Sequence, residues 1–469
     1  MKKPASRLIS MAVSLFFWGS LGVKAGETFE LTQMSAGDIR AAATAGTRNI
    51  FDVMKPGKPD GKPAAQKEWT VMVFMNAKND AGKWAEKDIN EMKKVGTTGT
   101  VNVVVEHGAK GKGSKRMLVP KKGGIFSNDV YSEDSNADMG DYKRVIEFVK
   151  WSKTTFPAKH YMLVLWNHGI GWIDPPMGEP VAGAGTSNKG ILFDDETKNY
   201  VRTRQLGEIL RQSGYVDVFA MNACLMQMAE VAYEVKDNAG LIVASEETML
   251  AYGFDYKKLL NFMNANTGAT NEQISDFFID WERDFFAHGI HLIGPIHASL
   301  SSIPGTISTV RPQALNDLPA YLDAFAGAAM RNNETDAVKK AIETAVRFSS
   351  LDPKNDKKKM FAPYVDLYDF ALITGQESKA RETRQAAENL MTFIKSNLVI
   401  RSLGLNFDTE NGYDYSRVGG IAINMTMKKE TITLPLLDAI FETKYGDLAL
   451  SKASQWDEFV TWTDGVWRK

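Results

Sequence analysis

Five short apolar runs constrain this chain more than any other feature: Val71–Met75, Val101–Val105, Tyr161–Trp166, Val216–Met221 and Leu241–Ala244. Each is continuous rather than alternating, and β-branched residues are frequent, as in strands buried on both faces of a parallel sheet. The gaps between them carry helical spacing. Tyr142, Val145, Ile146 and Val149 share one helical face, as do Leu206, Ile209 and Leu210, and then Leu225, Met228, Ala229 and Ala232. Strand and helix in alternation imply βαβ units with right-handed crossovers. The expected fold is α/β, a mostly parallel sheet flanked by helices.

After about Gly253 the pattern changes. Thr270 to Gln273 reads as a capping box ahead of Ile274, Phe277, Phe278, Trp281 and Phe285 on one helical face. Further helices are expected over Leu315–Phe325, Val338–Val346 and Ala380–Ile394, with a late strand at Val418–Asn424. The other end of the chain reads as an export signal. Lys2, Lys3 and Arg7 precede the apolar run Leu8–Leu21, and Val23 and Ala25 supply small residues for cleavage near Ala25. That run is too short and too interrupted for a membrane span. A linker of Pro, Gly and Lys at Lys55–Pro63 then separates a leader, either a spacer or a propeptide, from the first of the five runs. The division expected is a signal peptide over 1–25, a leader over 26–67, a catalytic core over 68–256, and a helix-rich C-terminal part with late strands over 257–469.

Such a chain is expected to be secreted or periplasmic. Cys224 is its only cysteine, which excludes a lipoprotein anchor at the cleavage site and any intramolecular disulfide. Removing residues 1–25 takes away four basic residues and no acidic ones, so the formal net charge moves from −1 to −5. That balance argues against a nucleic-acid or anionic-membrane partner.

Ligands of open parallel sheets gather beyond the carboxyl ends of the strands. His168 follows the run Tyr161–Trp166, and Cys224 follows Val216–Met221 with a helix expected immediately after it. A thiol at a helix N-terminus has its thiolate favoured, and a neighbouring imidazole favours it further and protonates a leaving amine. The amides of Gly169 and Cys224 are candidates for an oxyanion hole. Read singly, Cys224 is equally a small buried hydrophobe and His168 a structural residue; their placement one crossover apart favours chemistry.

These residues lie in blocks that resemble the clostripain family of caspase-type cysteine peptidases, relatives of gingipains, legumains and caspases. The similar stretches are Trp69–Ala77, Asp88–Met92, Val101–Val105, His160–Tyr161 with Trp166–Gly169, Gly190–Asp195, Ala223–Glu234, Ser245–Thr248 and, later, Tyr364–Phe370. The resemblance implies a caspase-like α/β fold and hydrolysis of peptide bonds in protein or peptide substrates. It also implies a dyad of Cys224 and His168 beside the Gly169 amide. The family commonly has Asp two residues before the nucleophile, where it recognises Arg or Lys at P1; Asn222 stands there in this chain. A neutral amide does not supply the carboxylate a guanidinium prefers. Glu246 and Glu247 are alternative S1 candidates, or a solvated loop pair. The stretch 173–190, rich in Pro, Gly, Ala and Ser, is either an ordinary surface loop or a processing site, with Lys189 the candidate for cleavage. The rival to an active peptidase is an inactive relative serving as a surface or binding protein.

Other signals are weaker. His288 and His291 lack a third ligand for a metal, and His107 with Gly108 mimics the catalytic block without a nucleophile. Lys110–Arg116 is expected to be an exposed basic loop. No cofactor is expected, although calcium stays open because Glu133–Asp141 gathers acidic groups without EF-hand spacing.

Overall fold

The five apolar runs all enter one sheet. The structure, a computed structural model, describes residues 65–122, 129–175, 190–293, 296–350, 361–409, 411–427 and 433–468. The expected signal peptide and leader lie outside the described residues. Strands β1 (Lys67–Ala77), β2 (Val101–Ala109), β3 (Gly113–Leu118), β4 (Asp129–Asp134), β5 (Ala158–Trp166), β6 (Val218–Asn222) and β7 (Ile242–Ala244) are joined by β8 (Gly305–Val310) and β11 (Val399–Leu405). Their order is β11-β8-β7-β6-β5-β1-β2-β3-β4. The central strands β2, β1, β5, β6 and β7 are parallel, and the strands added at both edges are antiparallel.

Two apolar cores explain why the central runs do not alternate. Met72, Phe74, Leu163, Leu165 and Phe219 face one core; Val71, Val73, Val164, Val218 and Ala220 face the other. Helices α1 (Gly82–Val95), α5 (Tyr256–Ala265) and α6 (Asn271–His288) belong to the second face. Helices α2 (Tyr142–Thr155), α3 (Thr203–Ser213) and α4 (Ala229–Val235) cover the first. The Thr270 capping box forms as expected: Gln273 N donates to Thr270 Oγ1 at 3.3 Å and Thr270 N to Gln273 Oε1 at 3.0 Å.

The C-terminal part is helix-rich, but it also completes the sheet that the first half begins. Both β8 and β11 come from beyond residue 257, and a small sheet of β9 (Arg347–Ser350), β10 (Phe361–Asp366) and β12 (Ala422–Asn424) packs beside it. Met228 pairs with Ala422, so this small sheet reaches the segment that follows Cys224. The sequence Lys110–Arg116 forms the β2–β3 hairpin turn and the start of β3, with Lys110, Lys112 and Lys115 exposed as expected and Gly111 and Gly113 at positive φ. No helix among the described residues is long and apolar enough to cross a membrane.

Candidate active site

Strand register brings the two candidate residues to one level. Trp166 of β5 pairs with Asn222 of β6. His168 and Cys224 each lie two residues beyond that pair, on adjacent loops at the carboxyl edge of the sheet. Asn167 N donates to Asn222 O at 3.3 Å, which extends the register past the strand ends. The loops then touch at Gly169. A Cβ there lies 2.5 Å from the Cys224 carbonyl oxygen and 2.8 Å from Met226 Sδ, so only glycine fits.

The segment after Cys224 is not helical, contrary to expectation. Leu225 adopts φ 59°, its N–H donates to Glu247 O at 3.2 Å, and Gln227 N donates to Ser245 O at 2.9 Å. These bonds hold 225–227 against the β7 loop, and α4 starts only at Ala229. Cys224 therefore lacks a helix N-terminus. Its half-buried thiol donates to Met249 O at 3.7 Å. Burial, with the Glu247 carboxylate adding, pushes its pKa up to about 11, against the lowering expected from sequence.

His168 Nε2 lies 2.8 Å from Asp80 Oδ1. Among the described residues no hydrogen bond joins His168 to Cys224. Asp80 follows a set of buried side chains that sequence reasoning passed over. Asn79 Nδ2 donates to Asn167 Oδ1 at 3.1 Å and to Phe193 O at 2.8 Å. Asn167 Nδ2 donates to Asn76 O, while Asn167 Oδ1 accepts from His168 N. Lys78, buried, is ion-paired with Glu196 at 2.8 Å and Asp194 at 3.6 Å. The similar block Trp69–Ala77 stops just short of these residues. Tyr364, whose block carries the family resemblance without an assigned role, donates to Ile170 O at 2.5 Å and packs on Gly171.

Glu246 and Glu247 are buried, not a solvated pair. Tyr415 Oη bonds Glu247, Thr248 N donates to its other oxygen at 2.6 Å, and burial lifts its pKa to about 7. Burial and the adjacent Asp366 carboxylate hold Glu246 well above the usual carboxylate range. Neither is placed as a free charge for a substrate. Asn222 is also buried; its Nδ2 donates to Tyr256 Oη at 3.3 Å, and its amide backs onto Gly253. Lys189 lies outside the described residues.

Burial lowers the pKa of His107 to about 4, so it is neutral at physiological pH. In the stretch 133–141, Asp134 pairs with Arg144, Asp138 accepts from Thr197 and Asn199, and Asp141 caps α2. Among the described residues no cluster of three or more His, Cys, Asp or Glu has metal-binding geometry.

The model of the clostripain family matches residues 73–462. Clostripain of Hathewaya histolytica is 24% identical over 318 residues, spanning 60% of this chain and 56% of the relative, little more than half its length. A secreted C11 cysteine protease from Bacteroides thetaiotaomicron, solved with an irreversible peptide inhibitor, superposes with a TM-score of 0.59. It is 19% identical, with 83% of this chain and 99% of that chain covered. An inactive zymogen C11 protease from Parabacteroides distasonis gives a TM-score of 0.59 at 19% identity, over 83% of this chain and 99% of its own.

Proposed function

The chain belongs to the clostripain family, and on that premise we propose that it is an exported cysteine endopeptidase acting through Cys224 and His168. The observation that carries the reading is the shared level of the two residues beyond the Trp166–Asn222 pair. In the proposed reaction His168 takes the Cys224 proton, and the thiolate forms a bond to the scissile carbonyl carbon. The imidazolium then gives its proton to the departing amine as the C–N bond breaks. Water, deprotonated by the same imidazole, releases the acid from the thioester and returns the thiol. The Gly169 and Cys224 amides are proposed to receive the oxyanion.

A thiol whose pKa is near 11 is almost wholly protonated at neutral pH. Its proton is therefore removed during attack, rather than lost beforehand to a resting thiolate. The proposed P1 preference departs from Arg and Lys because Asn222 offers no charge. Export is proposed on the Lys2–Ala25 signal pattern.

The test is labelling by a peptide-based electrophile together with turnover on a peptide library. Cys224→Ala is expected to abolish both, and His168→Ala to lower turnover by several orders of magnitude. Full turnover in purified Cys224→Ala protein overturns the assignment. Wild-type protein that neither labels nor cleaves favours the inactive binding protein.

A further inference from the structure

We propose that Asp80 is a positioning residue for His168, fixing which ring nitrogen does the work. This rests on the Cys224–His168 reading. The two partners are 2.8 Å apart, through Nε2 of the ring and Oδ1 of the acid. An ionised carboxylate only accepts hydrogen bonds, so the ring hydrogen of neutral His168 is placed on Nε2. Nδ1 is then the lone-pair nitrogen, free of Asp80 and available for the thiol proton. When Nδ1 takes that proton, the ring becomes a cation beside the Asp80 carboxylate, which stabilises the charge at the moment it forms.

The pair is pre-organised from the backbone outward although the Asp80 side chain is 73% exposed. Asn79, next to Asp80, bonds Asn167, next to His168, at 3.1 Å. Asn167 Oδ1 also receives His168 N, so one amide side chain ties both loops. Asn79 Oδ1 accepts from Ala81 N at 3.0 Å, closing the turn around Asp80. Lys78, two residues before Asp80, is pinned by Glu196, Asp194 and the Ala137 carbonyl. An exposed loop aspartate acquires a fixed position because Lys78 and Asn79 before it are buried and bonded, and Ala81 after it is bonded back to Asn79.

Exposure limits the expected effect, because water screens part of the attraction. Asp80→Ala and Asp80→Asn are expected to lower kcat by about tenfold to a hundredfold, with KM within about twofold of wild type. Asp80→Glu, which restores an acceptor, is expected to recover most of the loss. Unchanged kcat in Asp80→Ala overturns the proposal. So does an equal loss in all three variants with a matching fall in Tm, which assigns Asp80 to loop structure alone. The dyad is judged separately: His168→Ala with wild-type turnover defeats the reading of His168 whatever Asp80 does, whereas an inactive His168→Ala beside a fully active Asp80→Ala defeats only Asp80.

Discussion

Asn222 shows how much one atom matters at this site. Its amide is buried, bonded to Tyr256 and pressed against Gly253. Asp88 is on the same face of the sheet, accepts from Trp166 Nε1 at 2.8 Å, and already has its pKa lifted to about 7, chiefly by burial. A second carboxylate here is costly until a cation arrives to neutralise it. Asn222→Asp is therefore expected to shift P1 preference toward Arg by roughly 1–3 kcal/mol while lowering Tm of the free protein. Cleavage profiles over a peptide library read the first effect. An unchanged profile removes Asn222 from the S1 pocket.

At the scale of elements, the loops beyond β5 and β6 are held by the segments packed behind them. Gly169 faces the Cys224 carbonyl, and Tyr364 of β10, far along the chain, donates to Ile170 O. Gly169→Ala is expected to displace the Cys224 loop, because a Cβ 2.5 Å from a carbonyl oxygen forces one backbone to move. The measured outcome should be loss of electrophile labelling at Cys224 in a protein that still melts cooperatively; normal labelling refutes the close approach. Tyr364→Phe leaves a buried carbonyl without its donor and should cost about 1–2 kcal/mol of unfolding free energy. A chemical denaturation curve unchanged from wild type contradicts that support.

Across the whole molecule, burial has lifted several carboxyl pKa values: Asp174 and Glu230 to about 7, and Glu282 to about 8. Each binds its proton more tightly folded than unfolded. The stability they lend is complete below the ordinary carboxylate range and is lost as pH rises through about 7 to 8. Tm is therefore expected to rise when pH falls from about 8 to about 6. Glu282→Gln should flatten that rise and stabilise the protein at the alkaline end. A wild-type Tm that is level or falling over this interval contradicts the expectation.

The sheet was legible because burial on both faces leaves continuous apolar runs, and this compositional signal does not depend on distant partners. The positions of His168 and Cys224 at strand ends followed from the same runs. Strands β8 and β11 were not legible: Gly305–Val310 is buried throughout between β7 and β11 but is mostly Gly, Thr and Ser, and Val399–Leu405, the outermost strand, mixes polar and apolar residues. The start of α4 was misplaced because Leu225 and Met228 have helical spacing, yet cross-loop bonds to Ser245 and Glu247 outcompete the first helical turn. Nor was the Asp80–His168 pair visible, being 88 residues apart in the chain. Periodicity and composition decided which segments are strands and placed His168 and Cys224 beyond strand ends. Tertiary structure alone decided the thiol's environment, the burial of Glu246 and Glu247, and the carboxylate that meets His168, because each is set by groups brought together from distant segments.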